Sequence, residues 1–161
     1  MRWPPPRPPT EYHIDCAADA FRDRIPPGWS VRQEHGVTLA TSVPEPDVAI
    51  VNAAKKFFAS RKPRPDEVLL TIEVSDSSLS TDRGRKLRIY AAAGLSPYWI
   101  VNIRDGTVEV RTDPHTPAGG PAGYRTLNTY EPGDTLTFSL AGRDLTLPVA
   151  ELLPEPAAAG G

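Results

Sequence analysis

A glutamate interrupts an apolar run near the middle of the chain. The segment LLTIEVS, residues 69–75, has the composition of a buried strand, yet Glu73 lies close to its centre. Because side chains alternate along a strand, Glu73 shares its face with the hydroxyl residues Thr71 and Ser75 and not with the aliphatic residues. An ionised carboxylate in a central strand needs a charged partner, several hydrogen-bond donors or a metal ion. The sequence therefore predicts a polar site around Glu73.

A second carboxylate is available from another predicted strand. Asp47 lies at the start of the predicted strand PDVAIV, residues 46–51, and Pro46 fixes the backbone just before it. If the two strands are neighbours, Asp47 and Glu73 converge, and their carboxylates repel each other. Either one acid then keeps a proton or a divalent cation binds between the two. Oxygen ligands alone favour Mg²⁺ or Mn²⁺ as that cation.

A lysine on the helix predicted to follow this strand completes the group. One face of that helix is apolar apart from a single charge, and it comprises Lys86, Ile89, Tyr90 and Ala93. This face should pack on the sheet, so Lys86 points toward the two acids and the Tyr90 hydroxyl can approach them. Two acids and a lysine around a divalent ion are the parts of a site for phosphodiester hydrolysis. The metal polarises the phosphate and activates water, while the lysine orients that water or offsets developing negative charge.

Each of these residues also has a plainer interpretation. Glu73 can pair with a surface arginine on an exposed sheet face, and Asp47 can simply start a strand. Lys86 can form an ion pair with Asp82, four residues earlier, which contributes only about 0.2–0.5 kcal/mol. Basic residues on both sides of the predicted site can form a phosphate-contacting rim, although such runs are more often a solvated face. They are Arg61, Lys62, Arg64, Arg83, Arg85 and Arg88.

Short strands and helices have to position these residues. Apolar spacing predicts a helix over residues 11–25, which Pro26, Pro27 and Gly28 end. The strands expected next are, in order, 29–40 with a bend at Gly36, 46–51 and 68–75. The intervening segment 52–64 is ambiguous between a short helix and a basic loop.

The second half of the chain predicts a crossing helix and more strands. The helix should run from 82 to 93, with Thr81 as its cap and Gly94 as its stop. A β-hairpin over 98–113 and further short strands follow. The predicted fold class is α/β (α+β), a mixed sheet flanked by helices.

Length and composition fit one domain without a membrane span. The 161 residues carry a formal net charge of −2 and no apolar run of the ~18 residues that would suggest a span. This charge argues against a broad basic surface, so contact with DNA has to use a local patch. Cys16 is the only cysteine, which excludes an internal disulfide and favours a reducing, cytoplasmic setting. A domain at 11–153 is expected between a disordered Pro-rich arm, 1–10, and a disordered tail, 154–161.

Three ordered segments carry a longer pattern over roughly residues 28–153. They read PEPDVAIV, VLLTIEVSDSSLSTDRGRKLRIYAAAGLSPYWIVN and GYRTLNTYEPGDTL. This pattern resembles the Uma-two (Uma2) family of restriction-endonuclease-like proteins, within the PD-(D/E)XK nuclease superfamily. The resemblance implies a restriction-endonuclease-like fold, with a central mixed β-sheet flanked by helices, and Asp47 and Glu73 as metal-binding acids. The superfamily lysine stands two residues after the glutamate, where this chain has Ser75, so the resemblance implies that Lys86 has taken over its role.

Residues and resemblance together predict a Mg²⁺- or Mn²⁺-dependent DNA endonuclease. Glu34, which matches a Glu or Gln position of the family, is a further candidate for the site, as are Ser75 and Tyr90. A homodimer is plausible, since one such site cuts one strand and a duplex needs two cuts. Two other interpretations stay open: a nuclease-derived binding or assembly module that no longer cuts, and a phosphodiesterase acting on RNA or a small nucleotide.

Overall fold

The structure, a computed structural model, describes residues 10–155. The predicted arm, 1–10, and the predicted tail, 154–161, lie outside the described residues apart from residue 10 and residues 154–155. In chain order the elements are α1 (Thr10–Arg22), β1 (Ser30–Gln33), β2 (Val48–Val51), β3 (Val68–Ser75), α2 (Leu79–Arg83), α3 (Arg85–Ala92), β4 (Tyr98–Asn102), β5 (Thr107–His115), β6 (Gly123–Tyr130), β7 (Thr135–Leu140), β8 (Arg143–Pro148) and α4 (Val149–Leu152). Two short 3-10 turns, Lys55–Phe58 and Pro65–Glu67, connect β2 to β3.

A six-stranded mixed sheet forms the centre of the described residues. Its strand order is β1-β2-β3-β4-β5-β6, and β7 and β8 form a separate two-stranded sheet. Only β3 and β4 are parallel in the large sheet, because the chain crosses over between them through α2 and α3. The predicted hairpin is present as β4 and β5, which pair antiparallel. The mixed sheet flanked by helices confirms the predicted fold class.

Each face of the sheet is covered by its own apolar core. On one face, aliphatic residues such as Leu70 and Ile72 pack with Phe21 of α1 and with the β7–β8 sheet. On the other face, Tyr98 and Ile100 of β4 pack beneath Tyr90 of α3. Glu73 lies on this second face, so the side predicted to be polar is buried under the crossover helices.

The crossing helix differs from the prediction at both its start and its middle. It begins at Leu79, not near residue 82, and Ser78 takes the N-terminal position expected of Thr81. It then breaks at Gly84, where φ is −107° and ψ is −100°. A Cβ on Gly84 would lie 2.7 Å from the carbonyl oxygen of Ser80. The break therefore requires glycine at position 84. The sequence alone did not indicate this interruption of the helix.

The edge of the sheet is shorter than predicted. The strand expected over 29–40 covers only Ser30–Gln33, because Glu34 adopts a left-handed φ of 53° that ends the extended backbone. The ambiguous segment 52–64 contains the 3-10 turn Lys55–Phe58 and otherwise no helix. No helix among residues 10–155 is long and apolar enough to cross a membrane.

Candidate active site

Asp47 and Glu73 meet at the border between β2 and β3. Asp47 immediately precedes β2, which pairs antiparallel with β3, so the end of one strand lies beside the interior of the other. The backbone N–H of Val74 donates a hydrogen bond of 2.7 Å to Oδ2 of Asp47. This bond brings the half-buried Asp47 carboxyl group within hydrogen-bonding range of Glu73, whose side chain is fully buried.

Two residues of α3 contact the Glu73 carboxyl group from above. The Lys86 ammonium donates to Oε2 of Glu73 at 3.0 Å, and the Tyr90 hydroxyl donates to Oε1 at 2.7 Å. Lys86 and Tyr90 stand four residues apart, which places them one turn apart on the same helix face. The helical spacing that suggested this arrangement therefore corresponds to actual contacts in the structure.

Burial and repulsion favour one proton on the pair of acids. Burial and the neighbouring Asp47 raise the pKa of Glu73 to about 8, against the lowering effects of Lys86 and Tyr90. Burial also raises the pKa of Asp47, although the Val74 N–H and Glu73 oppose the shift. Burial alone would lower the pKa of Lys86, but Glu73 and Asp82 raise it overall, so the ammonium stays charged. Without a cation at neutral pH, Glu73 is mostly protonated and can donate to Asp47.

A third buried acid, Asp82, belongs to the same cluster and was not recognised in the sequence. Only 1% of its surface is exposed, and Lys86 Nζ lies 3.1 Å from its Oδ1. The hydroxyls of Ser75 and Ser78 both donate to its Oδ2, the second at 2.8 Å. The ion pair with Lys86, predicted as an alternative to the contact with Glu73, thus exists together with it. We call Asp47, Glu73, Asp82, Lys86 and Tyr90 the acid–lysine cluster.

The spacing of polar residues could have indicated Asp82. Ser78, Asp82 and Lys86 recur every four residues, which places them on one helix face. The sequence alone predicts Asp82 only as a possible ion-pair partner of Lys86. The earlier start of α2 turns it inward, where its backbone carbonyl also accepts a 2.8 Å bond from the Tyr98 hydroxyl.

The other candidate residues have different positions. Ser75 supports Asp82 and makes no described contact with Glu73. Glu34 is exposed, and its side chain lines a separate hollow with Arg32 and His35. Only its backbone reaches the cluster, since its N–H donates to the carbonyl oxygens of Pro46 and Asp47 at 3.1 Å. The structure therefore does not bring the Glu34 carboxylate to the two acids.

The predicted basic rim is partly engaged in ion pairs. Arg83 donates to the buried Glu109 through Nε at 3.1 Å, and Arg111 pairs with the same acid at 2.7 Å. Arg61 makes a two-point contact with Glu67, with both distances at 2.7 Å. Arg85 and Arg88 are exposed on α3. Arg83 and Arg61 are thus held in defined orientations at the surface.

The donor atoms of the cluster suit a hard cation by type. Asp47 and Glu73 offer carboxylate oxygens, and Mg²⁺ is commonly held by one or two carboxylates while it keeps several waters. No group of three or more His, Cys, Asp or Glu residues arranged to hold a metal is found within residues 10–155. A cation would therefore depend on these two acids, water and the substrate phosphate.

Comparisons with known proteins assign the family of the chain. None of the curated proteins matches it. A crystal structure described as "a putative nuclease belonging to DUF820", from Anabaena variabilis, aligns with a TM-score of 0.59 at 15% sequence identity, over 94% of this chain and 84% of that one. That likeness supports the fold. A family model described as "Uma2: Putative restriction endonuclease" matches residues 4–150, and the chain therefore belongs to the Uma2 family.

Proposed function

We propose that this protein is a divalent-metal-dependent DNA endonuclease that hydrolyses phosphodiester bonds. The observation that carries the proposal is the meeting of Asp47, Glu73 and Lys86, from three separate elements, in one partly buried polar cluster. Buried acids and a lysine cost stability unless they serve each other or a ligand. The pKa of Glu73, raised to about 8 by burial and Asp47, is typical of a functional site.

The acids have a defined part in this proposal. Asp47 and Glu73 would hold Mg²⁺ or Mn²⁺, which supplies Lewis-acid polarisation of the scissile phosphate and a more acidic water. Glu73 has to lose its proton before it can serve as a ligand, so cation affinity should rise with pH up to about 8. Tyr90 fixes the orientation of the Glu73 carboxyl group through its 2.7 Å hydrogen bond.

Lys86 has a separate role, which is directed at the substrate. Lys86 is one-third exposed, so its ammonium can reach a substrate while it is anchored by two buried acids. From this position it donates to the attacking water or to a phosphate oxygen on which negative charge develops. Asp82 acts as a positioning residue, since Ser75 and Ser78 hold it where it orients Lys86.

Plasmid nicking tests the proposal. Supercoiled plasmid would be incubated with Mg²⁺ or Mn²⁺ and the wild type, Asp47→Asn, Glu73→Gln, Lys86→Met or the control Asp144→Asn. Asp144 is an exposed acid on β8, remote in sequence from the cluster. We expect the first three variants to lose about 100-fold or more of the nicking rate and the control to match the wild type. Equal rates in all five proteins would refute the assignment.

A rival function has one specific observation in its favour. Both oxygens of Glu73 already accept hydrogen bonds, and Lys86 is held by two acids, so Glu73 and Lys86 have partners without a cation. A nuclease-derived binding or assembly module that no longer cuts would retain such a cluster for stability. Calorimetry separates the two functions: DNA binding without any binding of Mg²⁺ or Mn²⁺ would support the module.

Substrate, assembly and location extend the proposal. The same cluster could hydrolyse RNA or a small nucleotide, so the nicking assay needs a parallel RNA substrate and a cyclic dinucleotide.

A homodimer would supply the two sites that a duplex cut requires, and sedimentation in the presence of DNA would reveal it. The single cysteine, Cys16, favours a cytoplasmic setting.

A further inference from the structure

The connection between β2 and β3 concentrates positive charge in a chain whose net charge is −2. Residues 52–65 contain five basic residues and no acidic one. They are Lys55, Lys56, Arg61, Lys62 and Arg64, and all are exposed. We call residues 55–64 the basic strip. A local concentration of this kind attracts a polyanion although the whole protein is slightly acidic.

Aromatic rings lie among these charges. Phe57 is 55% exposed, and the Lys56 ammonium lies 5.5 Å from the centre of its ring. Phe58 is half-buried, with the guanidinium groups of Arg32 and Arg61 at 5.0 and 5.3 Å from its ring centre. Two cations gathered around one ring repel each other, and an anion such as a phosphate would relieve that repulsion.

Arg32, on β1, has fewer compensating contacts than Arg61. Arg61 is compensated by Glu67, whereas the Nε of Arg32 is buried and has no hydrogen-bond partner among the described residues. Burial lowers the pKa of Arg32, which reflects the cost of holding this charge away from water. A ligand phosphate that reached Arg32 would offset this cost.

Two adjoining hollows give the ligand room. Their volumes are about 370 and 540 Å³, and both are lined by Arg32, His35 and Phe58. The smaller extends to Lys62, and the larger extends to Lys55 and Lys56. Their sizes fall in the range of small-ligand sites. Glu34 and Glu45 also line the smaller hollow, so the positive charge there is not uniform.

The smaller hollow is linked to the acid–lysine cluster through the backbone of Glu34. Glu34 lines the smaller hollow, and its backbone N–H donates to the carbonyl oxygen of Asp47 at 3.1 Å. A polynucleotide in the smaller hollow would therefore lie near the strand end that carries Asp47.

We propose that the basic strip binds single-stranded nucleic acid, with a base stacked on Phe57 and phosphates near Arg32 and the lysines. An exposed ring can stack with an unpaired base, whereas the bases of a duplex already stack on each other. The proposal deepens the proposed nuclease function, because it names an unpaired strand as the form of substrate that the protein engages.

Fluorescence anisotropy in EDTA tests the proposal apart from cleavage. The probes are a labelled oligothymidine and a labelled duplex, and the variants are Phe57→Ala, Phe57→Trp and the control Leu127→Ala. Leu127 is an equally exposed apolar residue, 52% exposed, on the remote strand β6. We expect Phe57→Ala to weaken single-strand binding about tenfold, Phe57→Trp to preserve it, and the control to have no effect.

Charge variants complete the test. Replacing Lys55 and Lys56 together by Gln should reduce the salt dependence of single-strand binding by about 0.7 in log–log slope for each phosphate that the protein no longer neutralises. Three results would overturn the proposal: no single-strand binding by the wild type, no effect of Phe57→Ala, or an equal effect of Phe57→Ala on duplex binding. Since no cation is present, loss of nicking in the earlier assay would not affect these outcomes.

Discussion

Replacing Glu73 by Gln should remove a pH dependence of stability that the wild type possesses. Glutamine keeps the size of the side chain and can still hydrogen-bond to Tyr90, but it cannot ionise. In the folded protein the pKa of Glu73 is about 8, compared with an ordinary value of 4.5. A folded-state pKa above the unfolded one means that the folded protein holds the proton more tightly. The resulting stability is fully present below pH 4.5 and is lost as pH rises through about 8.

The size of the effect follows from the same interval. At about 1.4 kcal/mol per pH unit, the interval from 4.5 to about 8 corresponds to roughly 5 kcal/mol. Between pH 5 and pH 8 the free energy of unfolding of the wild type should therefore fall by about 3–4 kcal/mol relative to Glu73→Gln. This is a large part of the stability of a typical domain.

Urea unfolding at a series of pH values measures this difference. The matched control is Glu109→Gln. Glu109 is another buried glutamate on the same sheet face, and both it and Glu73 lie opposite Ile100 of β4, one on each side. Burial acts to raise the pKa of Glu109, but its bonds with Arg83 and Arg111 lower it overall. The stability that ionised Glu109 contributes is therefore present above its ordinary pKa of 4.5 and is lost as pH falls below that value. The reasoning is refuted if Glu73→Gln and the wild type lose stability in parallel between pH 5 and pH 8.

Other expected outcomes concern the cation, the hydroxyl group and the helix break. Calorimetry in buffers of different ionisation enthalpy should show about one proton released per Mg²⁺ bound near pH 7, from Glu73, whereas no release would contradict its protonation. Tyr90→Phe should lower the free energy of unfolding by about 1–3 kcal/mol, because a buried acceptor loses its donor; an unchanged urea midpoint would contradict this. Gly84→Ala should destabilise by about 1–3 kcal/mol because the new Cβ meets the Ser80 carbonyl oxygen. Gly133→Ala, where nothing lies within 4 Å, is the thermal-melting control, and equal melting temperatures for the two variants would exclude the clash.

Local periodicity predicted much of this arrangement. Alternation along β3 was enough to separate Glu73 from its aliphatic neighbours, and helical spacing was enough to place Lys86 and Tyr90 on one face. The position of Asp47 followed from the assumption that the two strands are adjacent, which the antiparallel pairing of β2 and β3 supports. These features depend on periods of two and of three to four residues, which survive in any packed sheet and helix.

Features set by tertiary contacts were not predictable in the same way. The inward position of Asp82 depends on where α2 begins and on the donors that Ser75 and Ser78 supply. The early end of β1 depends on the left-handed backbone of Glu34, a conformation that glutamate seldom adopts. Glu34 matched the expected pattern by residue type, yet it lines the smaller hollow and not the acid–lysine cluster, since the pattern carries no information about φ.

The polar interior beneath the crossover helices carries most of its own counter-charge. One proton between Asp47 and Glu73, together with the Lys86 ammonium, offsets most of the negative charge that the three acids would otherwise bring. A structural zinc site behaves differently, because a domain built around one stays unfolded until the metal binds. Here the proton and the ammonium group act as internal counter-ions. Under the proposed function, metal binding would therefore exchange the Glu73 proton for an ion.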